Sequence, residues 1–553
     1  MQKNKYLLLA SSFTTLLLLV AAAGQEHFGR EWRDIQRQAR SDQGPVPVQL
    51  RQVVNPALGI SDRCVSCHVA MAPGEERVTG SAVLSPHTSV AHDPAEYGCT
   101  VCHGGQGLAT EKADAHGDVD FWPEPMLPAG MSQAGCGTCH AHLAVPTADA
   151  LATSRSVFER VDCLACHRVD ARGGTLRPDG GGMEGPDLSR VGMTGFNARW
   201  YEDHLAKAAA REGPAPWATT FASIAEADRA HLRTYLATRV GAPDLVEAKA
   251  LFLSTGCLGC HTVSGVGGEE GPDLTRVGEK DPGQVDFAQV PGSRSLASWN
   301  LEHFRSPGAV APGSQMPILG LAEEQIRTLT FYVLSLRRRD LPGSYLPADR
   351  LRAARLGERE FAPDGATIFS AFCSGCHGND GMGRRSPGLP AFPSVANPDF
   401  LSRVSDDFLA TTVRLGRPGR RMPAWGRLAG GLRPEEIAAV VSFLRTRSGI
   451  APSSDGRPRR WVTGDARTGE RLFDSVCSGC HGAAGQGGEG PALNNTVLLG
   501  SATDTYLVET IGNGRRGTAM AGFLTPSTVR PALAPEEIEA VVAFLRTWAG
   551  DVP

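Results

Sequence analysis

Residues 373–378 read CSGCHG, and residues 477–482 read CSGCHG again. Outward from this pair, the same Cys-x-x-Cys-His spacing occurs five more times. The other copies are CVSCH (Cys64, Cys67, His68), CTVCH (Cys99, Cys102, His103), CGTCH (Cys136, Cys139, His140), CLACH (Cys163, Cys166, His167) and CLGCH (Cys257, Cys260, His261). With Cys373, Cys376, His377 and Cys477, Cys480, His481, the seven motifs consume all 14 cysteines. Chance gives on the order of 0.01 copies of this pattern, which reads as a c-type haem attachment site. Two thiols at this spacing add to the two vinyl groups on one edge of a haem, and the adjoining imidazole binds iron as proximal ligand. A zinc site needs four ligands and gives no reason for a His after every second Cys. A disulfide framework fits export but not the fixed spacing. Seven covalently bound haem c groups are therefore expected.

Four of the motifs sit in longer repeats. GPDLSRVG (185–192) matches GPDLTRVG (271–278), and PEEIAAVVSFLRTRSG (434–449) matches PEEIEAVVAFLRTWAG (535–550). Each unit reads as a helix, the motif, a glycine-rich loop and a last helix. An aromatic, Phe158, Phe252, Phe369 or Phe473, stands four or five residues before the first Cys. Apolar residues at helical spacing, such as Ile437, Val440, Val441 and Leu444, mark the last helix, and Pro-Glu-Glu opens it. This arrangement resembles the small all-α class I cytochrome c domain, four times over between Leu151 and Trp548. The resemblance implies that the carbonyls of Pro186, Pro272 and Pro491 accept the proximal imidazole N–H. A Gly-Pro pair that merely forms a turn explains the same residues equally well.

The first three motifs fall within 77 residues, too few for three helical cores, so packed haems must supply much of that interior. The stretch GCTVCHGGQG, with DAHG, DRCVSCH and REWRDIQ, resembles membrane-anchored bacterial multihaem cytochromes that accompany cytochrome b-type, quinol-oxidising membrane complexes. That resemblance implies such a complex as partner and a soluble or terminal electron acceptor downstream.

The expected fold is mainly α: an N-terminal transmembrane or signal helix, a compact trihaem module with little regular structure, then four tandem class I domains. The expected bounds are 1–24 for the signal peptide or anchor, 25–60 for a juxtamembrane segment and 61–150 for the trihaem module. The single-haem domains are expected at 151–242, 243–340, 361–448 and 463–553, with proline- and arginine-rich connectors at 341–360 and 449–462. Connectors of this composition are expected to be solvated, with docking to an acidic partner as the alternative. The apolar run Tyr6 to Gly24 follows Lys3 and Lys5, which is an export signal. Cleavage near Ala21-Ala22-Ala23 and retention as an anchor both stand, with length favouring the anchor. The expected location is the periplasmic side of the bacterial inner membrane, anchored by the N-terminal helix, or periplasmic or secreted if that segment is cleaved. The net charge of −4 argues against a nucleic-acid binder.

Sixth ligands set much of a haem's potential. Met316 in SQMPILGL, Met422 in RRMPAWGRL and Met520 in GTAMAGFL stand between the haem loop and the last helix. Iron ligation is the reading; a core-filling Met is the alternative. The fourth unit places Thr219 where Met316 stands, leaving Met193, Met183 and His204, or an open position. His204 aligns with His303, which coexists with Met316 and reads as structural. In the trihaem module, His87, His92 and His116 are the candidates, and His142 is the poorest one. These ligands describe an electron carrier, not an enzyme. An open fourth haem with peroxidase-like activity, an extracellular electron-conducting filament and a storage protein are the competing classes. No nucleophile–base constellation, phosphate loop or other metal site is evident.

Overall fold

In the computed structural model the described residues are 2–72, 78, 82–87, 90, 92–120, 122–141, 143–174, 185–194, 199, 203, 224–337, 340–385, 392–428, 430–453 and 456–549. Among them the secondary structure is helical apart from four two-stranded hairpins. The first helix, Gln2–Phe28, has 27 residues, about 40 Å at 1.5 Å per residue. Its leucines are more than half exposed, and it is long and apolar enough to cross a membrane.

After Gly29 the chain turns into the helix Glu31–Gln38, which lies on the protein instead of continuing freely. Trp32 is buried, and Gln36 is completely so. The Gln36 amide donates to the carbonyls of Gln49 (3.0 Å) and Ser66 (2.8 Å) and accepts from Gln49 N (2.8 Å). A buried amide must fill its bonding capacity, so this residue fixes the helix against the first haem motif. A hairpin, Val53–Asn55 with Ile60–Asp62, follows. Its Asp62 is buried and accepts from the backbone of Cys99 (2.6 Å) and Thr100 (2.8 Å), tying the first motif to the second.

The four single-haem units are each built on one helix crossing. The first helices contain Ala148–Arg160, Pro243–Ser254, Gly365–Ile368 with its continuation through Cys373, and Ala466–Val476. The last helices are Glu226–Ala237, Glu323–Ser335, Pro434–Ser448 and Pro535–Arg546. Phe158, Phe252, Phe369 and Phe473 are buried at the crossings. They meet Tyr235 (4.7 Å), Tyr332 (4.6 Å), Phe443 (5.5 Å) and Phe544 (5.6 Å) between ring centres. Each such pair adds about 0.5–1.5 kcal/mol beyond area burial. Four residues before each Phe the side chain is small: Ser154, Ala248, Gly365 and Gly469. A Cβ on Gly365 would lie 2.1 Å from the Ala439 carbonyl, and one on Gly469 would lie 1.9 Å from that of Ala540. The helices touch backbone to backbone there.

The Pro-Glu-Glu starts do what their composition predicts. Glu436 and Glu537 accept from the backbone N–H of Arg433 (2.7 Å) and Ala534 (2.8 Å), satisfying orphan donors at the helix start.

The connectors differ from expectation. Residues 341–360 contain the helix Ala348–Leu356, which is docked. Tyr345 Oη accepts from Asn55 (2.9 Å), Arg350 donates to the Thr138 carbonyl (2.8 Å), and Arg359 forms a two-point ion pair with buried Glu436 (2.8 and 2.9 Å). In 449–462, Arg459 donates to the Gly500 carbonyl (2.7 Å) and Trp461 to Thr505 (2.9 Å). The arginines that suggested solvated connectors reach across to backbone acceptors, a use that composition does not distinguish.

Candidate haem-binding sites

Every described Cys-x-x-Cys-His motif forms one helical turn. The His N–H donates to the first Cys carbonyl at 2.8 Å (His68), 2.9 Å (His103, His140, His261) and 3.0 Å (His167, His481). Positions separated by three and four residues share a helix face, so both sulfurs and the imidazole project together.

In the four single-haem units the proximal ring is held from behind. Nδ1 of His167, His261, His377 and His481 lies 3.0, 2.9, 2.8 and 2.8 Å from the carbonyl oxygens of Pro186, Pro272, Pro393 and Pro491. A donated Nδ1–H leaves Nε2 with its lone pair facing away, the form that binds iron. The glycine before the proline makes room: a Cβ on Gly185 or Gly271 would come within 2.5 Å of the imidazole. Pro393 was not read from sequence because Phe392, not glycine, precedes it, which removes the dipeptide signal. Burial keeps the His261 and His377 imidazoles below their ordinary value, hence neutral near pH 7.

In the trihaem region the histidines come together in pairs. The His87 and His103 ring centres are 6.1 Å apart, and those of His92 and His140 are 6.2 Å apart. Burial first, and then the nearby His116, lowers the half-buried His68 imidazole from its ordinary value. Tyr97 packs on the His92 ring at 4.8 Å, with Tyr345 edge-on behind it at 5.5 Å. His140 is pushed down to about 4, first by burial and then by His92. His142 lies outside the described residues.

Met316, Met422 and Met520 are half-buried between loop and last helix. The Arg417 N–H donates to the Met422 carbonyl (2.9 Å), and the Arg515 N–H to that of Met520 (2.9 Å), so the two loops are closed alike. Arg417 Nη1 and Arg515 Nε are buried without a hydrogen-bond partner. Buried guanidinium N–H groups require an acceptor, and a carboxylate-bearing cofactor supplies one. Together with the sulfur–imidazole donor sets and the glycine cradles, these orphaned groups fit haem. In the fourth unit, Met183, His204 and Thr219 lie outside the described residues, while Met193 packs at the edge of the core shared with the fifth. His303 stacks on Trp299 at 4.6 Å, its Nδ1 buried and without a partner.

Neighbouring motifs touch. A Cβ on Gly135 would lie 1.8 Å from the Cys102 carbonyl, and one on Gly256 would lie 2.3 Å from Gly375 N. The sixth and seventh units meet through reciprocal bonds. Asn397 donates to the Arg516 carbonyl (2.9 Å), and Asn495, its counterpart, to that of Pro418 (3.2 Å). Such reciprocity is the mark of a two-fold interface, here internal to one chain.

Residues 360–444 and 464–545 match the family described as cytochrome c oxidase, cbb3-type, subunit III, and residues 245–337 match cytochrome c. The chain is a multihaem c-type cytochrome. It resembles the cbb3-type cytochrome c oxidase subunit FixP of Bradyrhizobium diazoefficiens, with 33% identity over 178 residues, 30% of this chain and 57% of that one. It also resembles the CcoP subunit of Rhodobacter capsulatus, with 27% identity over 199 residues, 34% of this chain and 62% of that one. The chain thus spans little more than half the length of these relatives. Among solved structures, thiosulfate dehydrogenase of Marichromatium purpuratum overlays with a TM-score of 0.17 at 19% identity, covering 72% of this chain and 90% of its own. Ahead of these cytochrome c domains stands the apolar N-terminal helix, long enough to cross a membrane.

Proposed function

We propose that this cytochrome carries seven haems on the periplasmic side of the inner membrane. In this reading it takes electrons from a cytochrome b-type, quinol-oxidising complex and delivers them to a downstream acceptor. Haem held at the seven motifs supplies reversible one-electron exchange at iron. The chain's own residues set the direction. His87, His92 and His116 are the distal ligands of the trihaem module, and Met316, Met422 and Met520 those of the last three units. A thioether favours ferrous iron more than a second imidazole does, so the potential rises from the membrane outward.

The observation that carries this reading is the separation of ligand types along the chain, with histidine pairs near the membrane helix and methionines beyond. The relatives FixP and CcoP are named as oxidase subunits, and the two last units are those that match the subunit III family. That favours a terminal oxidase as the acceptor, docking at the carboxyl-terminal end.

The test is a potentiometric titration of the full, haem-loaded chain, repeated on Met316→His, Met422→His and Met520→His. Each substitution should lower one of the three highest potentials. Potentials unaffected by these changes, or lowered only among the lowest members, would remove the proposal.

A further inference from the structure

An iron bound between two imidazoles, each at about 2 Å, separates their ring centres by roughly 6 Å. Two histidine pairs in the trihaem region meet this requirement, at 6.1 Å for His87 with His103 and 6.2 Å for His92 with His140. Each pair joins one proximal ring of a haem motif to one of the three spare histidines, the combination that two imidazoles on one iron require.

We infer that His87 ligates the haem held at Cys99 and Cys102, His92 the haem held at Cys136 and Cys139, and His116 the haem held at Cys64 and Cys67. The inference rests on the reading of these histidines as iron ligands and adds their partners, which sequence order does not give. His116 is assigned because the ring distances match His103 and His140 to His87 and His92, which leaves His116 for His68.

This pairing is interlaced. The first haem draws its second ligand from beyond the second motif, and His87 and His92, five positions apart, serve two different haems. Tyr97 and the Asp93 cap of the turn Pro94–Tyr97 order the segment carrying His92. Asp62 locks the Cys99 turn to the hairpin before Cys64. No contiguous piece of the module therefore holds a complete first site without also containing the second motif.

The experiment uses the full, haem-loaded chain and low-temperature electron paramagnetic resonance. His87→Ala, His92→Ala and His116→Ala should each convert one haem to the high-spin form. In Cys99→Ala/Cys102→Ala, which removes one haem by mass, His87→Ala should add no high-spin signal while His92→Ala and His116→Ala still do. Cys136→Ala/Cys139→Ala should silence only His92→Ala, and Cys64→Ala/Cys67→Ala only His116→Ala. A signal that survives loss of its assigned haem overturns the pairing. Alanine variants that all stay low-spin overturn the ligand reading beneath it. Should a cysteine variant fail to mature, a density map of the haem-loaded wild type decides between the pairings, and an iron at Cys99 and Cys102 bonded to His92 or His116 refutes this one.

Discussion

Gly137, inside the third haem motif, approaches the Ser335 carbonyl so closely that a Cβ would lie 1.9 Å from it. Ser335 ends the last helix of the fifth unit, so the trihaem module and that unit are joined backbone to backbone at a motif. Gly137→Ala is expected to cost about 1–3 kcal/mol, the usual range for overpacking. Thermal unfolding of the haem-loaded chain measures it. Gly479→Ala, at a position with open space in the seventh motif, should change little and serves as the control.

The Arg359–Glu436 pair is a second joint, with side chains 17% and 3% exposed. Removing one member leaves the other buried without its counter-charge, which costs about 3–5 kcal/mol. Arg359→Ala should therefore lower the denaturant midpoint of the sixth unit. An unchanged midpoint would show that the pair contributes nothing net.

Between the sixth and seventh units, Asp399 accepts from the Arg516 guanidinium (2.7 Å) and backbone N–H (2.7 Å). The guanidinium contact, then the backbone one, pulls its carboxyl from 3.8 down to about 2. A carboxylate held below its ordinary value stabilises the fold above that value and loses the contribution as pH falls. The interface should thus weaken from about pH 4 towards pH 2. In Asp399→Asn the step in this window should vanish, as read by acid titration of the thermal midpoint.

Replacing residues 2–24 by a cleavable export signal is expected to release the cytochrome from the membrane fraction while leaving its haem content intact. Fractionation with a haem stain reads both. Retention in the membrane would place the attachment elsewhere, with the exposed leucines of Gln2–Phe28 unnecessary for it.

The features legible in the sequence are local ones. Cys-x-x-Cys-His fixes one helical turn within five residues, and Phe158 or Phe473 marks its helix crossing from a position four or five residues away. Pro186, Pro272 and Pro491 were visible because glycine precedes each; Pro393 does the same work without that signal. What sequence could not give depends on residues far apart in the chain. The proposed partner of His116 lies 48 positions upstream, and any of three proximal rings satisfies the pattern equally. Asp62 fastens the second motif across 38 positions, a link that no local pattern carries. The connector 341–360 was misread for the same reason, since Arg350 finds its acceptor at Thr138.

The buried Gln36 bonds reach from the stub of the bilayer helix to Ser66, a residue between the two cysteines of the first motif. The first motif is therefore held a short, hydrogen-bonded step from the apolar helix, not at the end of a free tether. For the proposed donor, this sets how far its own exit site can stand from the root of that helix.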